Sequence, residues 1–344
     1  MALSLNSITP MPYQPGTSLR LQVLRSCNNP PFSPSVEAII SETFDITMSP
    51  VMDVTIHTRA GLYFRAILKL YDRRFGKHFR EISDTHVPQT TADEAVFQSF
   101  VRRGEVGRFL RELEGKKKAA MRTEIPLPQA EEFLDGTLGG SERYEAVLWQ
   151  YCNDFFHCET EAYERLVDLQ GKSIPRMYAH VCLSSNVPPD LWDSPLARYF
   201  EIKGVVLEFI PGYTLWDIAI SPLAPPDPNA WSDIVQSAID AVNDINSRGV
   251  ILDDCSPRNV MVDKHSQTPI IIDLAQCWFK DKLIETWRET MEDDQDWDPD
   301  ADYWKTVENS GNTRDIGATM ARILQEERGM KLKVKYPALL HQAP

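Results

Sequence analysis

The chain is expected to adopt an α+β fold in two lobes, a small antiparallel sheet with one main helix followed by a mainly helical half. Three observations support this. Strand-like runs rich in β-branched and aromatic residues cluster between residues 43 and 72. A long segment, 142–170, repeats apolar residues at helical spacing. Beyond an apolar connector at 205–212, amphipathic helical patterns dominate and only short apolar strands interrupt them.

Taken in order, residues 1–36 are rich in Pro, Ser and Asn and predict an irregular arm, although SLRLQVLRS within it has strand character. FDITM, DVTIHTR and LYFRAILKLYD then alternate near period two, with a turn at Ala60-Gly61 between the last two. Residues 76–140 are polar and charged and read as an insertion with some helix, such as 95–114, and a Gly-rich end, GTLGG. In 142–170, Val147, Tyr151, Phe155, Ala162, Tyr163 and Leu166 mark one helical face, and Gly171 and Pro175 stop it. Two apolar runs follow, MYAHVCL and KGVVLEFI, the second ending at Pro211-Gly212. Residues 231–247 form an amphipathic helix with Ile234, Val235, Ala238, Ile239, Val242 and Ile245 on its apolar face, closed by Gly249. VILDD, NVMVD and PIIIDLA are short strands or loops, and a last helix spans 311–328. The expected domains are the arm 1–36, a first lobe 37–204 carrying the insertion 76–140, the connector 205–212, and a second lobe 213–344.

The chain has 344 residues, 50 acidic and 36 basic, for a net charge of −14. That balance argues against electrostatic binding to nucleic acid or an anionic membrane surface. No window supplies the run of apolar residues that a membrane span requires, and the N-terminus lacks the basic start of a secretory signal. Six scattered cysteines without a C-x-x-C pair suit free thiols in a reducing compartment, so a cytoplasmic location is expected. The Lys116–Lys118 triplet leaves a nuclear location open. Seven acids in EDDQDWDPDAD, 292–302, carry half of the net charge. This stretch is a solvated loop or a field favouring a cationic acceptor.

The densest chemical signal is GVILDDCSPRNVMVDKHSQTPIIIDLAQC. Asp254 and Asn259 precede one apolar strand, and Asp273 ends the next. Polar groups at the ends of an otherwise apolar ribbon suit a bound ligand. Asp and Asn oxygens are ligands for a hard cation such as Mg²⁺, and a further carboxylate is placed to take a hydroxyl proton. Phosphoryl transfer needs these parts. Asp253, beside Asp254, is the alternative carboxylate.

On these residues the sequence resembles the protein-kinase-like superfamily, in its aminoglycoside phosphotransferase and choline-kinase-like branch, over roughly residues 43–335. DDCSPRN resembles the catalytic loop, which implies a catalytic Asp254 and a metal-binding Asn259. IIIDLA resembles the D-F-G segment, which implies that Asp273 is the principal Mg²⁺ ligand. AILKLYD resembles the third strand with its phosphate-binding Lys69, and ETEAYERL resembles the helix carrying the lysine's partner, with Glu161 as best match and Glu159 as alternative. LEFIPG resembles the inter-lobe connector, which implies adenine contacts from the backbone near Glu208, Phe209 and Ile210. The combination of LKLYDRRF, ETEAYERL, DDCSPRN and YW-x-x-V also resembles uncharacterised fungal kinase-like proteins.

Two features depart from the pattern. No glycine-rich loop occurs where one belongs; the turn there is SPVMD, which leaves the nucleotide to Lys69, Mg²⁺ and Ser49. Leu252-Asp253 replaces the His-Arg pair before the catalytic Asp, and no A-P-E follows Asp273. The missing arginine and the missing A-P-E favour a small-molecule or orphan kinase over a regulated protein kinase. The resemblance implies an enzyme using Mg²⁺ and ATP to phosphorylate a hydroxyl-bearing acceptor, small molecule or protein. The alternative is a catalytically weak or inactive pseudokinase acting as a nucleotide-binding interaction module; a third reading gives the insertion 76–140 a purely structural role as a partner-docking element.

Overall fold

A computed structural model of the chain describes residues 7–27, 32–44, 46–57, 63–82, 85–119, 138–184, 186–288 and 296–337. The expected turn at Ala60-Gly61, the start of the Gly-rich segment at 136–137 and the acids at 292–295 lie outside the described residues. The chain divides into two units, residues 1–157 with 177–208, and residues 158–176 with 209–344.

In the first unit, β1 (Ser18–Ser26), β2 (Ser35–Thr43), β3 (Val51–His57) and β4 (Tyr63–Leu70) form an antiparallel meander. Two two-residue strands, β5 (Glu81–Ile82) and β6 (Thr85–His86), form a separate ribbon. Three helices follow, α1 (Thr91–Arg102), α2 (Val106–Ala119) and α3 (Leu138–Arg165), and then β7 (Met177–Leu183) and β8 (Ile202–Glu208). β8 pairs with β4, β7 with β8, and β1 with β7, so six strands close into a barrel. The small antiparallel sheet expected from the sequence is thus a closed one.

The strand within the expected irregular arm closes it. β1 alternates exposed and buried positions, and Leu19 and Leu21 enter the barrel. Val36, Ala38 and Ile40 of β2, Met52, Val54 and Ile56 of β3, and Ala66, Leu68 and Leu70 of β4 meet them inside. FDITM is not a strand: β2 ends at Thr43, and Phe44 and Ile46 belong to the connection into β3.

Tyr13 precedes the barrel, is fully buried, and packs edge-on against Phe75 with ring centroids 5.6 Å apart. Its hydroxyl donates to Asp72 Oδ2 at 2.6 Å, and Arg74 donates to both Asp72 oxygens at 2.9 and 2.7 Å. A second buried polar group joins Arg73, Arg80, Gln89, Glu94 and Glu145. Arg73 pairs with Glu94 and Glu145, and Arg80 pairs with Glu145 at 2.6 Å. The single helix expected at 95–114 is two helices, because Gly104 takes φ +71° between α1 and α2. Thr90 and Asp93 form a capping box at the start of α1.

The second unit contains the end of α3, β9 (Gly212–Thr214), α4 (Asn229–Ser247), β10 (Val250–Leu252), β11 (Val260–Asp263), β12 (Pro269–Ile271), β13 (Cys277–Phe279), α5 (Lys280–Arg288), α6 (Pro299–Ser310) and α7 (Asn312–Arg328). β9, β11 and β12 form one small antiparallel sheet, and β10 pairs with β13. The apolar stripe of α4 is buried as its periodicity predicts. Gly212 is required where β9 meets β11: a Cβ there would lie 1.8 Å from the Val262 carbonyl oxygen. Part of the acidic stretch has local partners. Asp298 caps α6 by accepting from the Asp300 and Ala301 amides at 3.0 and 3.1 Å, Asp302 accepts from Trp297, and Asp300 pairs with Lys280. Among the described residues no helix is long and apolar enough to cross a membrane.

Candidate active site

The antiparallel pairing of β11 with β12 sets Val260 opposite Ile271. The residues just outside this pair, Asn259 before β11 and Ile272 after β12, are joined by the Ile272 amide donating to the Asn259 carbonyl at 2.9 Å. Asn259 and Asp273 therefore emerge at the same end of the ribbon. Asn259 Nδ2 also donates to the Asp254 carbonyl at 3.1 Å and to Asp254 Oδ2 at 3.0 Å. The fold thus gathers Asp254, Asn259 and Asp273, while the Asp253 amide donates to the Gln276 carbonyl at 3.0 Å.

The loop holding Asp254 is braced from beneath. The buried Asn312 side chain donates to the Leu252 carbonyl at 2.7 Å and accepts from the Leu252 amide at 2.9 Å. Asn246 Nδ2 donates to Asn312 Oδ1 at 3.1 Å, and the Tyr303 hydroxyl donates to the Asn246 carbonyl at 2.6 Å. The Cys255 thiol donates to the Asn312 carbonyl at 3.2 Å, and burial pushes that thiol's pKa up. Ser256 accepts from the Arg258 amide, and the Arg258 guanidinium lies 4.1 Å over the Trp216 ring. Asp253, Asp254 and Asp273 remain exposed above this braced base.

Asp273 has φ +61°, the left-handed region that non-glycine residues seldom occupy. The segment after it is fastened to α3. Fully buried Glu159 accepts from the Leu274 amide through Oε1 at 3.3 Å. One turn away, the Cys277 amide donates to Cys158 Sγ at 3.2 Å, and the Cys277 thiol donates to the Leu274 carbonyl at 3.3 Å. Hydrogen bonding from Cys277 holds the Cys158 thiol below the usual thiol range, and the same contact, together with burial, pushes Cys277 up.

Glu161 is placed differently from Glu159. Its Oε1 accepts from Arg165 at 2.7 Å and its Oε2 from Lys282 at 2.5 Å, at the half-buried edge of α3. Burial opposes its ionisation, but these two cations hold its pKa below the usual carboxylate range. A helix turns through about 200° in two residues, so Glu159 and Glu161 face opposite ways. Glu159 shares the buried face of Ala162, Tyr163 and Leu166, at i+3, i+4 and i+7. That periodicity was the signal in the sequence that distinguishes the two.

Lys69 and Glu208 lie in the barrel unit. Lys69 is opposite Val51 and Val205 in the ladder and points out of the barrel, alternating with inward Leu68 and Leu70. It is only 6% exposed, and its Nζ sits 5.5 Å from the Tyr71 ring centroid. A buried ammonium is costly unless it is matched by opposite charge or hydrogen bonds. Gly204 makes room beside it: a Cβ there would meet the Lys69 carbonyl oxygen at 2.5 Å. Glu208 pairs with Ala66 at the end of β8; Phe209 and Ile210 follow, half-buried, at the start of the second unit. Ser49 is buried in the β2–β3 connection.

The donor set at the ribbon's end suits a hard cation in kind. Asn259 Nδ2 is committed to Asp254, which leaves its amide oxygen as the remaining ligand atom of that side chain. Mg²⁺ needs few protein ligands, because water and phosphate oxygens complete its octahedron. Among the described residues no cluster of three His, Cys, Asp or Glu side chains is placed to hold a metal.

No known protein family matches the chain, and no curated protein does. Solved structures give distant likenesses. One is WaaP in complex with acyl carrier protein, at 17% identity and a TM-score of 0.26, covering 50% of this chain and 75% of that one. Another is vaccinia related kinase 3, at 12% identity and a TM-score of 0.31, covering 80% of this chain and 54% of that one. Neither superposes closely enough to carry weight for the fold or the site.

Proposed function

We propose that the protein is a phosphotransferase that moves the γ-phosphoryl group of ATP to a hydroxyl acceptor with the help of Mg²⁺. The observation that carries this is the meeting of Asp254, Asn259 and left-handed Asp273 at one end of the β11–β12 ribbon, above a base locked by Asn312. Exposed Asp254, steered by Asn259, takes the proton of the acceptor hydroxyl as its oxygen bonds to the γ-phosphorus. The bond from that phosphorus to the β–γ bridging oxygen breaks, and ADP leaves. Asn259 and Asp273 would hold Mg²⁺, which offsets charge on the phosphate oxygens. Lys69 is assigned to the nucleotide phosphates, and the backbone at Glu208, Phe209 and Ile210 to the adenine edge. Glu159 positions the segment that carries Asp273.

Purified protein mixed with Mg²⁺-ATP and a metabolite library should show nucleotide-dependent thermal stabilisation and acceptor-dependent ADP release. Asp254→Ala should lower turnover by about 10²–10⁴-fold while nucleotide binding persists. Asp273→Ala should remove the Mg²⁺ dependence of binding. No stabilisation and no turnover would refute the proposal. The β2–β3 connection contains no glycine, which favours a second reading, a nucleotide-binding interaction module; Mg²⁺-ATP binding without any turnover distinguishes it.

A further inference from the structure

All six cysteines are free thiols, and two of them meet. Cys158 lies two turns before the end of α3, and Cys277 opens β13, within the same second unit. Their contacts are reciprocal. The Cys277 amide donates to Cys158 Sγ at 3.2 Å, and the Cys158 thiol donates to the Cys277 carbonyl at 3.4 Å. Both sulfurs also face the Leu274 carbonyl oxygen, Cys277 Sγ at 3.3 Å and Cys158 Sγ at 4.0 Å. The two side chains lie within hydrogen-bonding reach of each other. With the sulfur of one cysteine 3.2 Å from the backbone nitrogen of the other, side-chain rotation brings an S–S bond within reach.

The two sulfurs are unequal. Cys158 is half-buried, whereas Cys277 is buried. The Cys277 thiol, and then its amide, hold Cys158 below the usual thiol range despite burial, while the same thiol contact and burial push Cys277 up. Burial also pushes Cys152, Cys182 and Cys255 up. Thiolate character and access decide where an oxidant attacks, so Cys158 is preferred over these four. The pair also brackets the segment that presents Asp273. Cys158 adjoins Glu159, which accepts from the Leu274 amide, and Cys277 lies four residues beyond Asp273.

We propose that Cys158 and Cys277 form a site of reversible oxidation, which a hydroperoxide closes into a disulfide that fastens the Asp273 segment covalently to α3. The Cys158 sulfur attacks one oxygen of the hydroperoxide. The S–O bond forms, the O–O bond breaks, and the other oxygen leaves with the Cys158 proton, as an alcohol or, from hydrogen peroxide, as water. The Cys277 sulfur then attacks the sulfenic sulfur of Cys158. The S–S bond forms, the S–O bond breaks, and the hydroxyl leaves as water with the Cys277 proton. The two thiols lose two electrons in all and the hydroperoxide gains them. A dithiol reductant restores both thiols by exchange. This chemistry does not rest on the phosphotransferase reading.

The test treats the full chain, fully reduced and freed of reductant, with hydrogen peroxide. Remaining thiols are alkylated, and the protein is digested without reductant for mass spectrometry. The expected product is a peptide pair joined through Cys158 and Cys277 and separated by dithiothreitol. It should form at least about 10-fold faster than Cys152 or Cys255 is oxidised. Cys277→Ser should stop at a Cys158 sulfenic acid that dimedone traps, and Cys158→Ser should leave Cys277 reduced. The cross-link map of the unaltered chain needs no variant, so it decides whether or not a serine variant folds. Oxidation should also slow amide hydrogen exchange across residues 274–277 at least about 10-fold. The proposal is overturned if Cys158 and Cys277 both stay free thiols under excess peroxide, if the cross-link joins a different pair, or if exchange at 274–277 is the same in the two forms.

Discussion

Glu159 on α3 accepts a hydrogen bond from the backbone amide of Leu274, the residue after left-handed Asp273. A fully buried carboxylate thus fixes the segment that presents an exposed one. Substituting Glu159 by Gln should lower phosphoryl transfer about 10-fold or more, because the charge-assisted bond to Leu274 weakens. Glu161→Gln should change it less than about 3-fold, because that side chain engages Arg165 and Lys282 at the protein edge. Turnover of the two variants under identical conditions decides between them.

Asn312 is the keystone beneath the Asp254 loop. Replacing it by Ala strands the Leu252 amide and carbonyl, both buried, and removes a partner of Asn246. The expected loss of stability is about 2–4 kcal/mol, read from urea unfolding. Asn312→Asp keeps an oxygen that accepts from the Leu252 amide but has no N–H to donate to the Leu252 carbonyl, so it should recover only part of the loss.

The Tyr13–Asp72–Arg74 group should give the barrel opposite sensitivities at the two ends of the pH scale. Burial would raise the Asp72 pKa, but the Arg74 guanidinium more than offsets it, and the carboxyl lies below its usual value. Its contribution is present above the unfolded-state value of about 3.9 and is lost as pH falls through the lower folded one. Burial and the Asp72 charge push the Tyr13 hydroxyl well up. That contribution is intact below about pH 10 and is lost as pH rises toward the folded value. Unfolding midpoints against pH should show Asp72→Asn flattening the acid limb and Tyr13→Phe flattening the alkaline one.

Glu145 is 1% exposed and bonds both Arg73 and Arg80. Glu145→Ala should destabilise the barrel unit by about 3–5 kcal/mol, since it leaves two buried guanidinium groups short of a counter-charge. Thermal unfolding followed by circular dichroism measures this. The paired substitution Glu145→Leu with Arg80→Met should recover part of the loss.

The parts of the fold written in strict periodicity were legible. The stripe of α4 and the alternation of 53–57 and 63–70 state their elements directly, and the ordered residues Asp254, Asn259 and Asp273 meet in space as their pattern implies. β1 and β2 were harder to see, because Pro, Ser and Asn around them imitate a disordered segment while Leu19, Leu21, Val36, Ala38 and Ile40 supply the inward row. Glu159 and Glu161 were both legible as candidates, and their opposite helical faces put one in the core and the other at the edge. Asn312, Gln89 and the Arg73–Glu145 group leave no mark in sequence, since a buried polar residue resembles a surface one until its partners are placed.

The barrel's closure has a consequence for association. β1 pairs with β2 through Ser18–Gln22 and with β7 through Gln22–Ser26, so among the described residues it joins the two strands that would otherwise end the sheet. A chain cut after Ser26 would open both margins at once. β1 thus guards the protein against aggregation by strand addition, and proteolytic clipping there should convert a monodisperse preparation into one that self-associates.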